Sequence, residues 1–159
     1  MQNAKIYLAE ALIELMKTKD LKDIHVKDIV KRAGVSRMTY YRYFEDKEEI
    51  LHSYMKNIME EYIELEKQTK HKFGTYEHIL QNLNFFKQYK DYALCLHKAG
   101  MGDLILECVN KYVVKNEKHS FSLYFYAGAL FNTYMQWIFE DTKTPAEELA
   151  HMICRENRN

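Results

Sequence analysis

Residues 26–47, VKDIVKRAGVSRMTYYRYFEDK, constrain this chain most tightly, because they encode two short helices and the turn between them. Val26, Ile29 and Val30 recur at helical spacing, and Gly34 follows Ala33 where a helix stops at a residue tolerant of positive φ. Ser36 is placed to cap a second helix over 37–44, which leaves Gly34, Val35 and Ser36 as the turn, with Val35 plugging the angle between the helices. In that second helix Tyr40 and Phe44 are four apart and face inward, so Arg37, Thr39, Tyr41, Arg42 and Tyr43 face outward. Between Lys27 and Tyr43 stand five basic residues (Lys27, Lys31, Arg32, Arg37, Arg42) and one acidic residue, Asp28. A face that is basic and rich in tyrosine suits phosphates and base edges, even though the net charge of the whole chain is zero.

The rest of the sequence predicts an all-α chain. One Pro and five Gly among 159 residues, with abundant Leu, Ile, Met, Lys and Glu, favour helices joined by short connections, and 47% hydrophobic residues support a core. A first amphipathic helix carries Ile6, Leu8, Ala9, Leu12, Ile13 and Met16. The head runs over residues 1–46. Asp46 then caps a long helix, with Glu48 and Glu49 in its positive first turn, that continues through Tyr62 to Leu65 and joins the head to a body over residues 47–159. A polar loop over 67–74 is followed by helices over 76–89, 91–98, 103–115 and 120–141. The final helix, 144–155, has Thr144 as cap, Pro145 at its first position and Glu147 completing a capping box.

The run GVSRMTYYRYFEDKEEIL, residues 34–51, resembles the helix–turn–helix signature of the TetR family of bacterial transcriptional regulators, and the likeness extends from about Ile6 to Leu51. One departure is His25, where that family more often has Thr or Ser ahead of the first helix of the motif. The resemblance implies a DNA-binding head and a helical-bundle body for dimerisation and effector binding. It places Ser36, Thr39, Tyr41, Tyr43 and Lys47 on phosphates, Lys47 from the amino end of the long helix, and Lys27, Arg37, Met38 and Arg42 nearest base edges. A dimer would read a palindromic operator of double-stranded DNA in successive major grooves, and a repressor is expected.

Two apolar stripes on the helix over 120–141 imply two burial partners. One holds Leu123, Ala127, Leu130, Tyr134 and Trp137; the other holds Phe121, Phe125, Gly128, Asn132, Met135 and Phe139. The second stripe is assigned to a homodimer interface (Phe125, Gly128, Asn132, Met135, Phe139), together with Leu149 and Met152 of the last helix, in agreement with the last two helices through which TetR-like proteins dimerise. The resemblance also implies a small-molecule effector in the body. Its candidate lining is Tyr62, Phe85, Phe86 and Tyr89, then Tyr92, Cys95, His97 and Tyr126. An aromatic pocket with few charges favours a flat or greasy molecule over a sugar or nucleotide. A body too small to enclose a cavity would instead favour control by a partner protein.

Other functional classes find little support. Cys95, Cys108 and Cys154 are odd in number and widely separated, which suits a reducing cytoplasm, and the seven histidines show no metal-binding spacing. No metal or cofactor is expected. The segment 120–139 is uncharged for twenty residues, yet Asn132, Thr133 and Gln136 within it and the lack of flanking basic clusters favour a buried helix over a membrane span. Glu10 and Glu14 interrupt the first apolar stripe, which argues against a signal peptide. No acid–base pair, nucleophile constellation or glycine-rich phosphate loop points to an enzyme.

Overall fold

The computed structural model describes residues 2–116 and 121–156. Among these residues the chain is entirely helical: α1 (Gln2–Met16), a 3-10 turn (Leu21–Asp23), α2 (Val26–Ala33), α3 (Arg37–Tyr43), α4 (Lys47–Thr69), α5 (Tyr76–Lys87), α6 (Lys90–Lys98), α7 (Asp103–Asn116), α8 (Phe121–Phe139) and α9 (Ala146–Glu156). Ser120, which the sequence places at the start of the eighth helix, lies outside the described residues.

The head closes as its local signals dictate. Gly34 takes φ 67°, its N–H bonds to the Lys31 carbonyl, and the Val35 N–H reaches the Val30 carbonyl at 3.0 Å, the two bonds of a Schellman turn. Ser36 Oγ accepts from the Thr39 N–H at 3.0 Å and so caps α3. His25 precedes α2 without a side-chain capping bond. One boundary differs from expectation: α3 ends at Tyr43, because Phe44 turns to an extended backbone at φ −143° while its ring stays buried. Leu8, Leu12 and Met16 of α1 form one core with Ile24, Ile29, Tyr40, Ile50 and Leu51.

α4 begins at Asp46, whose Oδ1 accepts from the Glu49 N–H at 2.7 Å, and Glu49 Oε2 returns the bond to the Glu45 N–H at 2.7 Å. It runs on to Thr69, through the start of the stretch expected to be loop. Its inner face continues from Ile50 and Leu51 in the head to Met55, Ile58, Met59 and Tyr62 in the body, so α4 packs on α1 at one end and on α7 at the other. Head and body also meet through α6: Tyr92 Oη donates to the Leu51 carbonyl at 2.7 Å, Cys95 Sγ lies 3.7 Å from the Ile13 carbonyl, and Lys17 pairs with Asp91 at 2.6 Å.

α8 packs on α6 and α7, and α9 packs on α5, where the rings of Tyr76 and His151 stack at 4.3 Å. Trp137 Nε1 donates to the Thr144 carbonyl at 2.8 Å and closes the α8–α9 turn, in which Asp141 and Thr142 take positive φ. α9 starts one residue later than the capping box predicts: the Pro145 carbonyl accepts from the Leu149 N–H at 3.0 Å, which puts Pro145 in the cap position. Among the described residues no helix is long and apolar enough to cross a membrane.

The outer stripe of α8 needs one correction. Met135 is 7% exposed and belongs to the core of the protomer, not to a surface awaiting a partner, because α8 is rotated so that its carboxyl half sinks between its neighbours. Leu149 is likewise half-buried against the core. Phe125 and Asn132 do face outward, Phe139 and Met152 are about half exposed, and Gly128 is partly covered. Met135→Ala should therefore lower the unfolding free energy by about 2–5 kcal/mol, as for other buried large-to-small changes. Urea denaturation should show this loss for Met135→Ala, whereas Phe125→Ala, 80% exposed in the protomer, should change the stability by less than about 0.5 kcal/mol.

Candidate functional site

The exposed side of α3 carries two arginines and two large apolar-bodied residues. Met38 is 77% and Tyr41 63% exposed, and Arg37 and Arg42 are open to solvent beside them. Lys27, Arg37 and Arg42 take part in no ion pair among the described residues, so their charges are free for a polyanion, whereas Arg32 is partly neutralised by Glu14 at 3.5 Å. Tyr40 holds this face from beneath. Its ring is fully buried against Tyr41 and Phe44, its hydroxyl has no hydrogen-bond partner among the described residues, and burial pushes its pKa up to about 12.

The two capping hydroxyls are less available than the sequence implies. Ser36 Oγ and Thr39 Oγ1 bond to each other at 2.9 Å while Ser36 caps the helix. Tyr43 is half-buried, and Lys5 of α1 stands over its ring, 5.5 Å from the centroid. Lys5 thus adds a cation to this face that reading along the motif misses, since it comes from the helix before it.

Lys47 points elsewhere than expected. Its ammonium donates to the carbonyls of Leu21 and Ile24, the latter at 2.9 Å, with Lys22 O at 3.5 Å. The Leu21 carbonyl also accepts from the Ile24 N–H at 3.2 Å, so Lys47, from the first turn of α4, adds a second bond there and reaches the carbonyls at the end of the 3-10 turn. The side chain is therefore a tie between the long helix and the turn that positions α2, with its charge directed inward.

A second site lies in the body. α4, α5, α7 and α8 surround a cavity of about 500 Å³, beside a smaller apolar pocket of about 80 Å³ that shares Asn82, Phe86, Val109, Ala127 and Leu130 with it. Tyr62 and Glu66 of α4, His78 and Asn82 of α5, Tyr112 of α7 and Tyr126 of α8 supply its polar atoms. Phe73, about half exposed, stands against Tyr126 at 4.7 Å and His78 at 5.1 Å between ring centroids.

Those polar groups are mostly linked to one another. Tyr62 Oη donates to Asn82 Oδ1 at 2.8 Å, and Asn82 Nδ2 donates to the His78 carbonyl at 2.7 Å. His78 is 4% exposed, its Nδ1 accepts from the Gly74 N–H at 3.3 Å, which makes the ring neutral, and its Nε2 lies 3.4 Å from Asn82 Nδ2 and 3.7 Å from Glu66 Oε2. Burial lowers the His78 pKa, and the neighbouring Glu66 carboxylate offsets part of that shift. Burial also raises the Tyr62 hydroxyl far above its ordinary range. Tyr126 Oη is buried with no partner among the described residues.

Of the eight residues the sequence assigns to a pocket, Tyr62, Phe86 and Tyr126 line this cavity. Phe85 and Tyr92 are core, Tyr89 Oη bonds to Glu61 at 2.7 Å, Cys95 faces α1, and His97 is exposed against Phe139 at 4.8 Å. Glu66, His78 and Asn82 carry no sequence signal of a pocket, because a single polar residue on a helix reads as solvent-facing until its neighbours in the fold are known. Burial raises the Cys95 thiol pKa, which keeps it protonated, and it does not converge with His97 on a common point.

The profile for bacterial regulatory proteins of the tetR family matches residues 8–54, and that for a transcriptional regulator C-terminal region matches residues 75–156. The chain belongs to the TetR family. It is accordingly a transcriptional regulator with a DNA-binding helix–turn–helix, in a family that is not enzymatic. The uncharacterized HTH-type transcriptional regulator YxbF of Bacillus subtilis (strain 168) is 36% identical over 59 residues, 37% of this chain but only 16% of that protein. The crystal structure of the transcriptional regulator FadR from Bacillus subtilis in complex with stearoyl-CoA has the same fold, with a TM-score of 0.63 and 20% identity over 94% of this chain and 95% of that one.

The neutral His78 gives this TetR-family body a pH signature. Its pKa in the fold lies below the 6.5 of the free ring, so on acidification the unfolded chain takes up a proton before the native one does. The stabilisation is full above about pH 6.5 and declines as the pH falls through that value and below. Thermal denaturation at a series of pH values should show His78→Gln losing less stability on acidification than the wild type.

Proposed function

We propose that this TetR-family protein is a cytoplasmic repressor that binds a palindromic operator as a homodimer and is released by a small hydrophobic or aromatic effector. Residues 1–46 are the DNA-binding domain in this reading, and residues 47–159 the regulatory and dimerisation domain. The observation that carries the effector role is the cavity of about 500 Å³ against α4, within the size range of small-molecule sites. It favours a ligand over control by a partner protein alone. That a protein of the same fold was crystallised with stearoyl-CoA supports a ligand-binding body.

α4 supplies the coupling. Tyr62 and Glu66 form part of the cavity wall, and Lys47, on the same helix, holds the turn ahead of α2. At 23 residues the helix is about 35 Å long, so a small tilt at the cavity displaces the reading head. A ligand that moves the dimer from 1:99 to 99:1 in favour of the released state must bind that state about 5.5 kcal/mol more tightly.

The dimer face is the outer side of α8 with α9. Phe121 and Phe125 are 95% and 80% exposed, and Met152 adds an apolar side chain that is about half exposed. A Cβ on Gly128 would meet no atom within 4 Å in the protomer, so Gly128→Leu fits the monomer and disturbs only a packed partner. Overpacking a close contact costs about 1–3 kcal/mol. Light scattering should show this variant shifted towards monomer with an unchanged circular dichroism spectrum.

Selection from random DNA should enrich palindromes whose half-sites lie about one helical turn apart. Arg37→Ala and Arg42→Ala should relax discrimination at individual base pairs by about 1–3 kcal/mol, whereas Tyr41→Phe should weaken all sequences alike. An unenriched pool, or unchanged binding by all three variants, would remove the assignment of this face.

A further inference from the structure

Resting on the effector reading above, we propose that the body cavity takes a lipophilic cation, an ammonium or amidinium head on an apolar body, with Glu66 and the surrounding rings receiving the charge.

The described lining contains one carboxylate, Glu66, and neither lysine nor arginine. Its side chain is 19% exposed. Glu66 Oε1 accepts from Gln81 Nε2, and Oε2 faces the ring of His78, which is neutral because its Nδ1 accepts the Gly74 N–H. Gln81 and His78 therefore orient the carboxylate without cancelling its charge. Around it stand the rings of Tyr62, Phe73, Phe86, Tyr112 and Tyr126. Tyr62 lies 5.1 Å from Phe86 and 6.3 Å from Tyr112, and Phe73 lies 4.7 Å from Tyr126, between centroids. Aromatic faces carry negative electrostatic potential, so rings and carboxylate act in the same direction on a cation.

The ligand's apolar part has its own place, the adjoining pocket lined by Leu83, Ile105, Phe131 and Tyr134. A molecule that fills the cavity displaces water from Glu66. A neutral or anionic occupant leaves that carboxylate desolvated without compensation, and an anion adds repulsion, whereas a cation supplies the counter-charge. The buried Tyr126 hydroxyl, which has no partner among the described residues, offers its oxygen to an N–H of the head group.

Decylammonium, decanoate and decanol, each kept below its solubility or micelle limit, share a chain and differ in head charge. Isothermal titration of the full chain should show the ammonium binding at least about tenfold more tightly than decanoate, with decanol between them. In Glu66→Gln the ammonium should lose about tenfold while decanol is unchanged, which also reports that the cavity is intact. Decanoate binding as tightly as the ammonium to the wild type overturns the charge assignment and leaves the effector reading standing. Equal loss of all three ligands in the variant also overturns it, because Glu66 would then only shape the wall. Should the variant not fold, the wild-type comparison decides alone. No binding by any of the three overturns both readings. Charge-selective binding that leaves operator affinity unchanged upholds the cation site and overturns its effector role.

Discussion

The burial of one continuous face of α4 is the constraint on which the rest of this protein depends. The helix enters through the Asp46 cap, buries Ile50 and Leu51 in the head, and then buries Met55, Ile58, Met59 and Tyr62 in the body. One core, continuous from head to body, is thereby built along a single rod. A helix transmits displacement because each turn is tied to the next by backbone bonds, and Lys47 extends that tie to the carbonyls of the 3-10 turn. The exposed face of α3 and the cavity wall on α4 are consequently joined through the same packed core, with α6 bracing it through Tyr92 and Cys95 against Leu51 and Ile13.

The polar chain inside the body is costly to build, and its organisation reflects that cost. A buried imidazole, amide and phenol each require partners, and Tyr62, Asn82, His78 and the Gly74 N–H largely satisfy one another. This arrangement rigidifies the α4–α5 contact. Glu66 and Tyr126 are left with unused acceptor capacity facing an apolar space, the place where an occupant gains most from a complementary polar group.

Much of the architecture was legible from local chemistry. The turn at Gly34 needs a positive φ, Ser36 and Asp46 need only a free N–H three residues on, and the inward set of Tyr40 and Phe44 follows from a spacing of four. Of the outward set, Arg37, Tyr41 and Arg42 are exposed as that spacing requires, whereas Thr39 and Tyr43 are only partly so. The cavity was less legible. Aromatic residues mark apolar faces but do not distinguish a filled contact from a lined void, so Phe85, Tyr89 and Tyr92 read the same as Phe86 and Tyr126.

The sequence by itself determined the helices, the caps at Ser36 and Asp46 and the turn between α2 and α3, because each rests on interactions within about four residues of chain. Tertiary structure decided what each helical face meets. α8 carries two apolar stripes that are equivalent on a helical wheel, and only its rotation against α6 and α7 buried Met135 while leaving Phe125 outside. The same holds for Lys47, whose ammonium finds the carbonyls of Leu21 and Ile24 more than twenty residues away, and for Glu66, drawn into a wall by Gln81 and His78 of α5. Such choices depend on how helices are set against one another, and that setting is a property of the packed core as a whole.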